Sequence, residues 1–286
     1  MALAIVTDSN ISLPKQVFEN LPIFIAPLEI HFDGCSYIDG VDLNAEEFYR
    51  IISTQKKAIT TSAPRPQAFL EAFEKASDQY DEIICISLSS KLSATYTCAQ
   101  QAIDIAATKL ARVKIKLIDS ETAGLAQGLM VLTCARQAQR GESLDSIVKN
   151  LQETKDSYSM IGCVGSLDYL AKSGRIPNIY KWISNLANIK PLVQFSSGEI
   201  KMVSRHRGIS KALNHMVTVA KTSIGDAPAF GAVMHSDDLK NAIRLSDKLR
   251  SQIDFEELFI TELTPVIGAH VGNGLVGCAF SPISKH

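Results

Sequence analysis

The sequence predicts an α/β protein of two lobes. A mostly parallel α/β lobe over residues 1–155 is expected to pack on an α+β lobe over residues 156–286. Three observations carry this. Strand-like and helix-like segments alternate through the first half of the chain. Residues 82–88 (EIICISL) form a short, almost wholly apolar run, as a strand buried on both faces of a parallel sheet does. Past residue 155 the texture changes to strands with hairpin punctuation, and no Pro/Ser linker intervenes, so the lobes should pack closely and enclose a cleft.

In chain order, residues 3–6 read as the first strand, and residues 22–32 as a second, passing into a hairpin with Asp33-Gly34 and Asp39-Gly40. Asn44 followed three residues later by Glu47 is a capping box opening a helix through Ile52. Pro66 opens the next helix, where its missing N–H costs little, and Phe69, Leu70 and Phe73 mark its buried face. Strand 82–88 leads into a helix over about 93–110. Strand 113–118 ends at Asp119-Ser120. A long helix rich in small residues, about 123–140, stops at Gly141. Leu144, Ile147, Val148 and Leu151 share one face of an amphipathic helix over 144–154. In the second half, residues 160–164 predict a strand and residues 170–177 a basic helix–loop stretch. Strands 191–195 and 199–203 flank Ser196-Ser197-Gly198 as a hairpin. Strands 229–234 and 257–261 surround a helix over 239–253, and the chain closes with a glycine-rich loop and a strand over 275–280.

Composition narrows the function. Twenty-nine Lys and Arg against 30 Asp and Glu give a net charge of −1 over 286 residues, which argues against a nucleic-acid partner held by phosphate neutralisation. Hydrophobic residues are 46% and aromatics only 7%, so the apolar content is mostly aliphatic. No stretch reaches the roughly 18 apolar residues of a membrane span, and the first apolar run is too short for a secretory signal. A cytoplasmic protein without stable membrane insertion is expected. The six cysteines, at 35, 85, 98, 134, 163 and 278, form no C-x-x-C pair and are expected to be buried thiols, with no metal site and no disulfide framework.

Among motifs, Gly272-Asn273-Gly274-Leu275-Val276-Gly277 matches G-x-G-x-x-G, but it follows no strand and opens no helix, so a nucleotide role is not expected. Asp33, Asp39 and Asp42 lack EF-hand spacing and read as turn residues. Residues 87–96 (SLSSKLSATY) place four serine hydroxyls at a strand's carboxyl end and a helix's start, where N–H groups and the helix dipole favour an anion such as a carboxylate. Ser90 or Ser93 serving only as a helix cap is the plainer alternative. Thr60-Thr61-Ser62-Ala63-Pro64-Arg65-Pro66 is a second hydroxyl-rich turn that either caps a helix or shares a carboxylate with the first. His270 stands among glycines in Ile267-Gly268-Ala269-His270-Val271-Gly272, which let the backbone approach another group closely. Arg175, Arg205, Arg207 and Lys211 are either a solvated surface or a docking face for an acidic partner or phosphate.

Taken together, these segments resemble the DegV family of bacterial lipid-binding proteins. The resemblance rests on Thr7-Asp8-Ser9, Tyr37-Ile38-Asp39-Gly40-Val41-Asp42, Thr61-Ser62-Ala63-Pro64, residues 87–96 and Asp119-Ser120. Residues 170–176, Ile189-Lys190-Pro191, Arg207-Gly208, Lys211-Ala212 and Ile267-Gly268-Ala269-His270 complete it, covering nearly the whole chain. It implies a two-lobe DegV-like fold enclosing one long-chain fatty acid, such as palmitate, in a buried tunnel. It further implies that Thr61 or Ser62, Ser93 and His270 hold the carboxylate. Arg175, with Arg205 or Arg207, would meet an ATP-using fatty acid kinase subunit that makes acyl phosphate. The chain departs from the family pattern at Ala63, where glutamine is common, at Ala94, where glycine is, and near Asn273, where proline is. No cofactor and no catalytic residue of its own are implied. Two other readings stay open: a cleft enzyme, an acyl hydrolase or transferase using Ser93 or His270, and a lipid-sensing regulatory module.

Overall fold

The computed structural model describes residues 2–54, 59–176 and 189–283. Pro177, at the end of the expected basic stretch, lies outside them. The first sheet is four-stranded and parallel, in the order β2-β1-β6-β7: β1 is Leu3–Asp8, β2 Ile23–Ala26, β6 Glu82–Ser87 and β7 Lys114–Asp119. Alternate residues of β6 enter different cores. Ile83 and Cys85 pack against Phe69 and Phe73 of α3 (Pro66–Ser77) and Ala99 and Ala102 of α4 (Thr95–Lys109). Ile84 and Ile86 pack against Met130 and Val131 of α5 (Gly124–Gln139) and Ile147 of α6 (Leu144–Thr154). Burial on both faces is what the unbroken apolar run anticipates.

The second sheet is mixed and six-stranded, in the order β10-β9-β8-β13-β11-β12. Its members are β8 (Ser159–Cys163), β9 (Ile189–Ser196), β10 (Glu199–Arg207), β11 (Ala229–His235), β12 (Phe255–Glu262) and β13 (Val276–Pro282). Helices α8 (Ile209–Ile224) and α9 (Leu239–Arg250) cover one face through Leu213, Met216, Leu245 and Leu249. The other face carries Met160, Ala232, Met234 and Ala279 into a core shared with the N-terminal half. Helix α5 lies between the two sheets, touching β1 and β6 of one and β8, β11 and β13 of the other. It is buried on nearly every side, which suits its glycines, alanines and aliphatics and the absence of a polar face.

Several local signals hold in detail. Glu47 N–H donates to Asn44 Oδ1 at 2.9 Å and Asn44 N–H points back to Glu47 Oε2 at 3.5 Å, the reciprocal capping box, which opens α2 (Ala45–Thr54). Ser197 and Gly198, both with positive φ, make the two-residue turn between β9 and β10.

Four expectations change. Residues 22–32 are two strands: Pro27, which has no N–H, breaks the run after β2, and the chain turns into β3 (Glu29–Phe32) of a separate antiparallel sheet, with Leu28 N–H bonded to Ser9 Oγ. Residues 60–62 are a strand, β5 (Thr60–Ser62), on the side of β3 opposite β4 (Cys35–Ile38). The glycine-rich loop around His270 is a helix, α10 (Pro265–Val271), with Pro265 in its first turn and Gly272 ending it. Cys35 is exposed on β4, although Cys85, Cys134, Cys163 and Cys278 are buried.

Candidate functional site

A cavity of about 430 Å3 lies between the β3–β5 sheet, α10 and the inward face of the second sheet. Leu28, Leu88, Val193, Phe195, Val266 and Leu275 give its wall an apolar, mostly aliphatic character. The polar lining is Asn10, Thr61, Ser62, Ser93, Ser173, Arg175 and His270, and among the described residues Arg175 is the charged side chain on the wall. An apolar chamber with a few placed polar groups orients an amphipathic ligand.

The chain brings its polar groups together from distant segments. Strand β5 presents Thr61 to α10, where Thr61 Oγ1 and His270 Nε2 are 2.7 Å apart. Helix α10 is held against α2 at a glycine. A methyl group at Gly268 would lie 2.6 Å from Phe48 Cε1 and 2.8 Å from the Tyr49 hydroxyl. Its first turn is tied down by Asp39, whose Oδ1 accepts from Val266 N–H at 3.2 Å while Ser9 Oγ donates to Oδ2 at 2.6 Å. Asp39 is therefore a buried anchor rather than a surface turn residue, and burial pushes its carboxyl up to about 7. The turn reading holds for Asp42, which accepts from Ile38 N–H at 2.8 Å.

His270 is half-buried and lines the chamber. Desolvation, helped by the positive charge of Arg175, lowers its imidazole to about 4. The ring is therefore neutral at ordinary pH, with one nitrogen as donor and the other as acceptor. Ser62 lies on the same wall, but its hydroxyl pairs with His31 Nε2 at 3.0 Å, and His31 Nδ1 pairs with Ser36 at 2.8 Å. Of the two neighbours, Thr61 is the one hydrogen-bonded to His270.

The hydroxyls of residues 87–96 do not converge as the sequence suggests. Ser93 faces the cavity, its Oγ 2.9 Å from Thr95 Oγ1 and accepting from Thr95 N–H at 3.3 Å in a local turn just ahead of α4, whose N-cap position is Ala94. Ser89 is buried and donates to Gly198 O at 2.8 Å, and Ser90 is exposed. Several of the loop's N–H groups are already used: Ser89 N–H goes to Thr122 O, Leu92 N–H to Ser89 O and Ser90 N–H to Asp119. Lys91 Nζ donates to Ser197 O at 2.8 Å, so the loop clasps the tip of the β9–β10 hairpin.

Asn10 is a lining residue that sequence reasoning missed. Its Nδ2 donates to Asp8 Oδ1 and Gln127 Oε1, both at 2.6 Å. Asp8 is buried, also accepts from Leu88 N–H at 2.8 Å, and has its carboxyl raised by desolvation. The polar turn after the first strand was the available signal. Arg175 lines the cavity beyond α7 (Leu167–Ser173), while Arg205 and Arg207 sit on exposed positions of β10 outside it. Among the described residues no group of three His, Cys, Asp or Glu is arranged to hold a metal ion, and no helix is long and apolar enough to cross a membrane.

Fold and site together define an α/β scaffold in which two sheets enclose an apolar chamber with a hydroxyl–imidazole pair and an arginine on its wall. A family model described as uncharacterised protein, DegV family, matches residues 2–282. The chain belongs to the DegV family. A DegV domain-containing protein of Caldanaerobacter subterraneus subsp. tengcongensis is 34% identical over 279 residues, covering 97% of this chain and 98% of the relative. Among solved structures, a fatty-acid-binding DegV family protein from Thermus thermophilus superposes with a TM-score of 0.90 at 25% identity, covering 99% of this chain and 100% of that one. DegV from Bacillus subtilis, described as a fatty acid binding protein, gives 0.86 at 27% identity, covering 99% and 100%.

Proposed function

We propose that the protein binds one long-chain fatty acid in this cavity, with the carboxylate at Thr61, His270 and Ser93 and the acyl chain along the aliphatic wall. The observation that carries the reading is the pairing of Thr61 with His270 beside Arg175 on an otherwise largely apolar wall. The fatty-acid binding of the Thermus thermophilus and Bacillus subtilis proteins supports it. Each buried methylene contributes about 0.8 kcal/mol, so fourteen give roughly 11 kcal/mol before ordering costs, and a few polar contacts then fix the chain's direction.

Binding rather than turnover is the reading the electrostatics favour. A hydroxyl 2.7 Å from an imidazole is a nucleophile–base geometry, but an imidazole lowered to about 4 is a poor proton acceptor near neutral pH. The task left is presentation: the bound acid is offered to an ATP-using fatty acid kinase subunit, with Arg175 beside the cavity and Arg205 and Arg207 on the exposed side of β10 as the docking charges. In this reading the described residues within 1–155 and within 156–286 form two lobes that enclose the ligand between them.

Denaturing extraction of the purified protein followed by mass spectrometry should release a fatty acid, and the stripped protein should bind added palmitate or oleate. Neither lipid recovered nor binding seen would refute the reading. Acyl-ester turnover that disappears in Thr61→Val would instead establish the enzyme alternative.

A further inference from the structure

We propose that Gly162 and Met234 set the length of acyl chain the cavity accepts. The inference rests on the fatty-acid reading above. It starts from one row of the second sheet, where Val193, Gly162, Gly277 and Met234 lie side by side across β9, β8, β13 and β11.

Alternation along β8 puts Met160 and Gly162 on the cavity wall, while Ile161 and Cys163 enter the core on the opposite face. Two neighbouring glycines remove a layer of side chains from the wall at this row. They are not equivalent. A methyl group at Gly277 would lie 2.6 Å from both Ile161 O and Met234 Cε, so that position is closed by its surroundings. At Gly162 the nearest atoms would be Met234 Cε at 3.6 Å and, both at 3.8 Å, Gly277 Cα and Leu275 Cδ1, ordinary contact distances to one backbone atom and two cavity-lining side chains. A methyl group there meets only ordinary contacts, and the atoms it adds take their space from the chamber. Met234 covers the closed glycine with its methyl end and borders the open one. Its unbranched thioether can shift within the row, which no branched side chain at that position would do as readily.

In a chamber of about 430 Å3, a few carbon atoms at this row decide how much acyl chain is accommodated. Discrimination per methylene in an apolar pocket is about 10- to 200-fold. Substituting Gly162 should penalise long chains more than short ones, and truncating Met234 should do the reverse.

The test is equilibrium binding of straight-chain saturated acids of twelve, fourteen, sixteen and eighteen carbons to stripped wild type, Gly162→Val and Met234→Ala. In Gly162→Val the affinity for the eighteen-carbon acid relative to the fourteen-carbon acid should fall by about tenfold or more. In Met234→Ala the same ratio should rise. Gly162→Ala, with its single added carbon, should shift the ratio the same way by less, and it keeps the test open if the valine variant does not fold. Ratios unchanged from wild type, or a parallel loss for every chain length, would overturn the proposal. Wild type binding none of the four acids is a different failure, removing the fatty-acid reading itself.

Discussion

Thr61 Oγ1 and His270 Nε2 sit 2.7 Å apart although 209 positions separate them in the chain. Strand β5 supplies one partner and the short helix α10 the other, so the pair exists only when the helix is docked on the sheet. Replacing His270 by alanine removes the partner of Thr61 and a neutral donor from the chamber wall. Hydrogen bonds to a charged group are worth about 1.5–3 kcal/mol, so palmitate affinity should fall about 10- to 100-fold. Ser93→Ala combined with His270→Ala should weaken it further, while the circular dichroism spectrum is retained. Affinity for the matching fatty alcohol, which has no carboxylate, should change far less. Equal losses for acid and alcohol would show that the site does not read the carboxylate.

Asp39 makes stability depend on pH through a group outside the cavity. Its carboxyl is raised from 3.8 to about 7 because burial disfavours the charge. Between those values the folded state holds a proton that the unfolded state has released. Stability is therefore full near pH 4 and declines as pH rises toward about 7. His270 acts oppositely: lowered from 6.5 to about 4, it makes stability rise with pH across that window. Asp39→Asn keeps the shape and a carbonyl for Val266 N–H while removing the ionisation. The melting temperature of this variant relative to wild type should therefore increase from pH 5 to pH 8. A difference constant with pH would place the titration elsewhere.

The clasp between the loop after β6 and the hairpin tip has two strands of attachment, Ser89 Oγ to Gly198 O and Lys91 Nζ to Ser197 O, both 2.8 Å. The hairpin carries Val193, Phe195 and Ile200 on the cavity wall. Ser89→Ala with Lys91→Ala should accelerate amide hydrogen exchange in the hairpin by about tenfold, from one or two lost bonds, and speed ligand release, with α4 unaffected. Unaltered exchange and release would mean the tip is held by packing alone.

Asn44 offers a purely structural control. Its side chain satisfies an N–H at the start of α2, the helix that Gly268 packs against through Phe48 and Tyr49. Asn44→Ala should cost about 1 kcal/mol in urea unfolding and leave ligand selectivity unchanged. A changed chain-length preference would couple the cap to the cavity.

What the sequence made legible was local. Periodicity and punctuation marked β6, the capping box at Asn44, the Gly198 turn and the stop at Gly141, because each depends on neighbours in the chain. The errors came where tertiary partners decide. Three residues at 60–62 are too short to show a strand period, and only pairing with β3 makes them one. Glycines at 268 and 272 masked α10, whose conformation is supported by its packing on α2 and by Asp39. The hydroxyl-rich stretch at 87–96 drew attention for its density, yet most of those groups serve the loop, the clasp and the turn ahead of α4. Density of polar residues does not reveal whether they point at a ligand or at one another.

The inner face of the second sheet packs on α5 along part of its width and borders the chamber along the rest. An occupant there is solvent-excluded mass, and removing it strips the wall of its packing partners. Occupancy and folding are then one equilibrium: a ligand at a hundred times its dissociation constant adds about 2.7 kcal/mol to the folded state. Under the fatty-acid reading proposed above, empty molecules should unfold first, so the population surviving heat or proteolysis should be enriched in loaded ones, and the protein's own persistence would gauge supply.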